Sequence, residues 1–423
     1  MAYSNLGMFK SAQRGDALMK HLEDRPNQPL EINLGDFVLS VSWAMDLASP
    51  KIFKHSARVA YIASRVCSQL GLDEEETNQV LFASLIHDSG ISSSEMKLNA
   101  LAFDLGSQAK NHCIEGYHLM KDSPVLSFTA PLILHHHLHW ESLGGKPEDA
   151  TREEFLGNLI HLADRVEISI NREKPILPQK DRLVERIANY SGTLFSPRLV
   201  EAFQGVAREE AFWLNIESGY GADIAASRAK QVPVKLSRPE IKELASIFAQ
   251  IVDRKSHFTL QHSQGVAQLA ARMAAHLGFS PDGQEEMEIA GLLHDLGKLS
   301  IPDSILEKPA PLTPQERMLM KQHTFYTYHL LDNIEAFDQI KDWASYHHET
   351  LQGTGYPFRL SASDLSLESR IMGACDVYQA LSEDRPYRRA MEKKQAFSIL
   401  EEMCQEGSLD PEVVSALKEM ESC

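Results

Sequence analysis

Residues 294–298 read His-Asp-Leu-Gly-Lys, and further along the chain come His347-His348-Glu349 and then Gly353-Thr354-Gly355-Tyr356-Pro357. Imidazole and carboxylate together suit first-row divalent metals, because both are intermediate-to-hard donors. Neighbours on a helix point about 100° apart, so Asp295 can bridge two ions while His294 binds one of them. His347 and His348 form another adjacent pair. His262, His323 and Asp376 would come from other helices and complete two coordination spheres. Seven donors exceed what one ion with an open position uses, so a two-metal centre is the economical reading. A single histidine on an apolar helix face is ordinarily a hydrogen-bonded core residue. Five histidines and two aspartates in an ordered set, with Lys298 three residues beyond Asp295, are not.

The elements that must position these donors are helical. His262, Val266, Leu269, Ala270, Met273 and Leu277 follow three-and-four spacing, and Gly278 ends the run as a helix C-terminal glycine does. His55, Val59, Ile62, Ala63, Val66 and Leu70 repeat the pattern and stop at Gly71. Each stop is followed by an acidic start, Asp73-Glu74-Glu75-Glu76 and Ser280-Pro281-Asp282, as a helix N-terminus favours. Strand signals are sparse, and the fold class is all-α.

The spacing is duplicated. His55 to His87 and His262 to His294 each span 32 residues, and His112 to His136 and His323 to His347 each span 24. Asp164 follows His136 by 28 residues, and Asp376 follows His347 by 29. The offset between copies drifts only from 207 to 214, as small insertions between matched helices would produce. An internal repeat follows. It predicts two tandem domains, 1–236 with an N-terminal arm to about residue 35, and 237–423, joined near the proline-punctuated segment 231–239.

Bulk properties agree with two globular units in 423 residues. No apolar stretch approaches the ~20 residues of a membrane helix, and the N-terminus lacks a signal peptide's apolar core. Five scattered cysteines (67, 113, 375, 404, 423) without a CxxC pair fit a reduced cytoplasm. A net charge of −17 disfavours long nucleic acids, whose binding rests on broad phosphate neutralisation. A small phosphate ligand held by a few local cations is compatible with it. So is a homodimer, although no signal fixes the assembly.

The segment His294-Asp-Leu-Gly-Lys298, with Ile301-Pro-Asp-Ser-Ile305, Lys308-Pro309, His323, His347-His-Glu, Gly355-Tyr-Pro and Asp376-Val-Tyr-Gln-Ala380 through Arg385-Pro-Tyr-Arg388, resembles an HD-GYP domain from about residue 245 to 417. The resemblance implies an all-α HD-superfamily fold, two or three iron- or manganese-type ions, and hydrolysis of bacterial cyclic dinucleotides. Ligand type alone does not separate iron, manganese and nickel. Carried over, His262, His294, Asp295, His323, His347, His348 and Asp376 would be metal ligands, and Lys298 would sit beside the scissile phosphate. Tyr356, Arg385 and Arg388 would contact the nucleotide. Three-metal members place a glutamate where this chain has Phe258, which favours two metals. Gln352 stands where aspartate is usual, and Asp253 where glutamate is frequent. The chemistry of such a centre is activation of water for in-line attack on phosphorus, with neutralisation of the charge growing on its oxygens. Lys298 would steady that charge or protonate the leaving oxygen.

In the first copy His55, His87, Asp88, His112, His136, His137 and Asp164 occupy the seven positions, but Ile91 replaces the lysine and 139–147 keep only a trace of the glycine-rich loop. His118, His135 and His139 lack repeat support and read as structural. This half resembles a degenerate HD domain, one that binds metal without turnover, serves as a regulatory or dimerising scaffold, or keeps another phosphohydrolase activity. The pairing of a degenerate HD unit with an HD-GYP domain resembles phosphodiesterases that linearise 3′,3′-cyclic GMP-AMP, with cyclic di-GMP the close alternative. The rivals are a non-catalytic dinucleotide receptor and a phosphohydrolase of mononucleotides or alarmones. Tyr356-Pro357 and Arg385 through Arg388 speak against the last.

Overall fold

The computed structural model describes residues 30, 32–47, 53–91, 93, 109–144, 150–255, 262–384 and 389–422. Arg385, Arg388, Phe258, the arm before residue 30 and 145–147 of the first-copy loop lie outside them. The helices that frame the site of the first half include α1 (Leu34–Asp46), α2 (His55–Leu70), α3 (Glu74–Leu85), α4 (Ala109–Met120), α5 (Ala130–His135), α6 (Arg152–Ile168) and α7 (Pro197–Val206). Helix α8 (Tyr220–Gln231) leads to the junction. The second half contains α9 (Arg238–Asp253), α10 (His262–His276), α11 (Pro281–Leu293), α12 (Gln322–Leu331), α13 (Asp338–Ser345), α14 (Leu367–Ser382) and α15 (Pro411–Ser422). Two short strands, β1 (Ile32–Asn33) and β2 (Lys235–Leu236), pair antiparallel with Ile32 opposite Leu236.

Local chemistry sets the ends. Gly71 closes α2 at φ 69°, a left-handed conformation that glycine adopts at no steric cost. Asp73 caps α3 by accepting the Glu76 N–H at 2.9 Å, and three glutamates then occupy its electropositive first turn. Ser280 accepts the Gly283 N–H at 3.2 Å at the head of α11, where Pro281 suits a first turn. At the junction α8 ends at Gln231, β2 follows, and a Ser237–Glu240 capping box starts α9.

The duplication reaches one helix further back than the histidine spacing reveals. Asp46, at the end of α1, accepts the Ser56 N–H at 2.9 Å and its hydroxyl at 3.1 Å. Asp253, at the end of α9, accepts the Ser263 hydroxyl at 2.8 Å. Helix α1 therefore matches α9, and it stands between the halves. It packs on α2, α3 and α8 of its own half and on α12 and the 296–300 turn of the other. Phe37 stacks on Phe248 (centroids 5.2 Å apart, 24° between planes) and meets Phe337 edge-on at 6.0 Å. In return, Arg254 after α9 pairs with Glu115 of α4 at 2.8 Å, and Ser123 donates to Glu243 at 3.1 Å. One apolar core runs through both halves.

Replacing Phe37 by Ala should remove about 3–5 kcal/mol of packing and lower the first thermal unfolding midpoint by roughly 5 °C or more. A midpoint that stays put in differential scanning calorimetry would mean the ring contributes nothing to joining the halves.

Candidate metal centre

Three imidazoles of the second half are pinned in the same way. Nδ1 of His294 lies 2.7 Å from the Gly291 carbonyl, that of His323 2.6 Å from Met320, and that of His347 2.6 Å from Ala344. A carbonyl only accepts, so a hydrogen sits on Nδ1, and each ring turns its Nε2 inward. Nε2 of His323 and Nε2 of His347 are 3.3 Å apart. Two lone pairs at that distance repel unless a cation lies between them. A proton is a poor candidate: burial holds His347 well below the ordinary histidine range and pushes His323 down to about 3. Nε2 of His294 and Oδ1 of Asp295 are buried without a hydrogen-bond partner. The donor set fits divalent metal.

The carboxylates divide between two nests. Asp295 turns Oδ2 to His294 (3.1 Å) and His262 (4.0 Å), and Oδ1 to His323 (3.6 Å). Lys298 Nζ donates to the same Oδ2. Burial alone would raise the Asp295 pKa, but His294 and Lys298 outweigh it and hold the carboxyl well below its usual range. Asp376 Oδ1 lies 3.1 Å from His262 Nε2 and 3.9 Å from His294 Nε2. Ligand atoms of His262, His294 and Asp376 thus cluster on one side, those of His323, His347 and half-buried His348 on the other, and Asp295 stands with His294 and His347 between. Burial opposes protonation of His262, yet Asp376 and Glu383 outweigh it and raise it to about 9.

The motif's small residues serve approach rather than chemistry. A Cβ on Gly297 would sit 2.0 Å from the His323 carbonyl oxygen, so only glycine lets the 296–300 turn press on α12. Gly90 meets the His112 carbonyl in the first half at the same 2.0 Å. Past His348, Glu349 is buried and accepts the N–H groups of Phe358 (2.7 Å), Arg359 (3.1 Å) and Leu360 (3.0 Å). It closes the loop that carries Tyr356, whose ring lies 4.9 Å from that of His348 and 6.4 Å from that of His323. Burial keeps the Tyr356 phenol protonated by raising its pKa.

All seven ligand candidates, Lys298 and Tyr356 thus come together. Arg385 and Arg388 fall outside the described residues. Sequence reasoning missed Glu383, 3.0 Å from His262 Nδ1, and Lys321, whose Nζ lies 5.0 Å from the centre of the Tyr356 ring. Lys321 stands two residues before His323, a spacing that could have flagged it. Nothing local singles out Glu383.

The first half assembles its seven residues too. His55 Nε2 is 3.3 Å from Asp164, His87 Nε2 is 3.5 Å from Asp88, and Nε2 of His112 and of His136 are 3.1 Å apart. His118, His135 and His139 belong to no ligand cluster among the described residues. Two features were not foreseen. Arg165 lies on Asp164, donating from Nε at 3.2 Å and Nη2 at 2.5 Å. Glu167 engages His55 Nδ1 at 2.8 Å and Arg58 at 2.6 Å.

Paired histidine-aspartate nests inside an all-helical fold define the class of HD-type phosphohydrolases. The HD domain family matches residues 246–413 and again residues 52–169. A 3′3′-cGAMP-specific phosphodiesterase 1 of Vibrio cholerae is 31% identical, covering 91% of either chain. The 3′3′-cGAMP-specific phosphodiesterase 3 of that organism is 27% identical over 91% of this chain and 94% of its own. A cyclic di-GMP phosphodiesterase of Pseudomonas aeruginosa is 38% identical but aligns with 38% of this chain. A solved cyclic GMP-AMP phosphodiesterase structure from V. cholerae superposes with a TM-score of 0.64 at 24% identity, covering 92% of this chain and 98% of that one, and has the same fold. The chain belongs to the HD-GYP phosphodiesterases and carries two HD domains.

Glu349→Ala removes the acceptor of three backbone N–H groups and should loosen the Tyr356 loop, lowering turnover about 10- to 100-fold with metal content unchanged. Metal loss in elemental analysis would mean that Glu349 supports the nests instead.

Proposed function

We propose that residues 237–423 form the catalytic HD-GYP domain and residues 1–236 a degenerate HD domain, and that the former hydrolyses a 3′–5′ phosphodiester of 3′,3′-cyclic GMP-AMP to linear pApG. The observation that carries this reading is Asp295, whose two oxygens face different histidine nests in a chain that aligns nearly end to end with two enzymes named for that substrate. His262, His294 and Asp376 would hold one divalent ion, and His323, His347 and His348 a second, with Asp295 shared. Iron, manganese and nickel all suit such donors. A bound pair supplies an activated water near neutral pH and offsets charge on the phosphoryl oxygens.

The chain's own groups do the rest. Asp295, kept ionised, would be shared by the two ions. Lys298 donates to Asp295 with its side chain 19% exposed, where it meets the scissile phosphate or the departing 3′-oxygen. Glu383 orients His262. Tyr356 offers a ring and a protonated hydroxyl to the nucleotide, and Arg385 and Arg388 bring the guanidinium fork that suits phosphate. In the first half Ile91 offers no proton at the position of Lys298. Among the described residues no helix is long and apolar enough to cross a membrane. The four cysteines among the described residues are free and three of them are buried, which agrees with a cytoplasmic enzyme, and a homodimer is compatible with this reading.

Asp295→Ala should reduce turnover by at least about 100-fold, whereas Asp88→Ala should cost no more than a few-fold. Equal losses would sink the division of labour. Manganese-supplemented protein, offered cyclic GMP-AMP, cyclic di-GMP and cyclic di-AMP in parallel, should linearise the mixed dinucleotide selectively. Cyclic di-GMP cleaved at least as fast would reassign the substrate, and cleavage of none would make the protein a receptor.

A further inference from the structure

The first half repeats the pinned geometry. His87 Nδ1 lies 2.7 Å from the Ser84 carbonyl and His136 Nδ1 2.6 Å from that of Ile133, so both rings turn Nε2 lone pairs inward. Nε2 of His136 faces Nε2 of His112 at 3.1 Å, and Asp88 Oδ1 stands 4.0 and 3.9 Å from these two atoms. His137 stacks beside both, with ring centroids at 4.2 and 4.9 Å. It is 8% exposed, yet neither of its nitrogens has a hydrogen-bond partner, and His87 Nε2 has none either. Buried imidazole nitrogens left unpaired are costly. Three rings converge here: ligand atoms of His112, His136 and His137 all lie within 4.8 Å of one another.

The other nest differs between the halves. In the second half the recorded partners of Asp376 among the described residues are His262 and His294, and the next residue is Val377. In the first half the residue after Asp164 is Arg165, 1% exposed and bonded to Asp164 through two nitrogens. A guanidinium so placed already neutralises the carboxylate that a metal would need, and a second cation beside it would be repelled.

We propose that the first half carries a metal site of its own, one divalent first-row transition-metal ion held by His112, His136, His137 and Asp88, with Arg165 filling the charge of the second position on Asp164. The ion takes up the inward Nε2 of His136 and gives His137 a partner. The site is mononuclear because the other nest, where ligand atoms of His55, His87 and Asp164 also lie within 4.8 Å of one another, already carries a fixed side-chain cation on Asp164. It therefore lacks the bridged pair on which the proposed chemistry of the other half depends.

The test is metal stoichiometry by elemental mass spectrometry on full-length protein loaded with manganese or cobalt and freed of excess. The variant H294A/D295A/H347A, which disrupts every ligand cluster of the second half, should keep about one ion per chain, and adding His136→Ala should bring it to about zero. Zero ions in the first variant would overturn the site, and two would overturn the role of Arg165. Should the triple variant fail to fold, the wild type and His136→Ala alone give the answer by difference. A loss of one ion from about three supports the site, and no loss overturns it. Arg165→Val, which restores the residue type of position 377, should raise the count by one, and an unchanged count would show that Arg165 is not what excludes the second ion.

Discussion

The arrangement depends on one repeated constraint: an imidazole hydrogen committed to a carbonyl three residues back. In His294, His323 and His347 that bond fixes the tautomer and forces the remaining nitrogen toward a shared centre. Burial then removes water as an alternative partner. Helix ends deliver these rings: His294 follows the last residue of α11, and His347 comes just after α13. The glycine of the 296–300 turn lets α12 come close enough to complete the group. Backbone hydrogen bonding, rather than side-chain affinity for metal, does most of the orienting.

The two halves keep this scaffold while diverging in charge. Both possess the pinned histidines and the glycine at the turn. They differ at Ile91 against Lys298 and at Arg165 against Val377. One substitution removes a mobile cation beside the bridging carboxylate position, and the other installs a fixed cation on the distal carboxylate. Two changes in the placement of positive charge thus distinguish two nests built on the same helical scaffold.

Much of this was legible from spacing, because ligands at helix ends must recur at intervals set by helix length and turn, and a duplication prints the interval twice. Helix starts at Glu74 and Pro281 were legible for a similar local reason, since capping chemistry is read within four residues. Glu383 and the stacking of Lys321 on Tyr356 were not, because they depend on how separate segments meet. Helix α1 escaped notice since it carries no histidine. Its equivalence to α9 rests on an aspartate–serine bond ten residues long in sequence, a signal too common to read without coordinates.

That equivalence has an evolutionary corollary. Helix α1 packs on α12 and the neighbouring turn of the second half, while an ion pair joins Arg254, just after α9, to Glu115 of α4, the counterpart of α12. The contact between halves is therefore self-complementary, the form an interface takes when two identical subunits meet about a twofold axis. A single ancestral unit bearing that face would have paired with a copy of itself, and the fused chain holds both partners of that pair within one polypeptide. Joined in this way, each half supplies the surface against which the other packs.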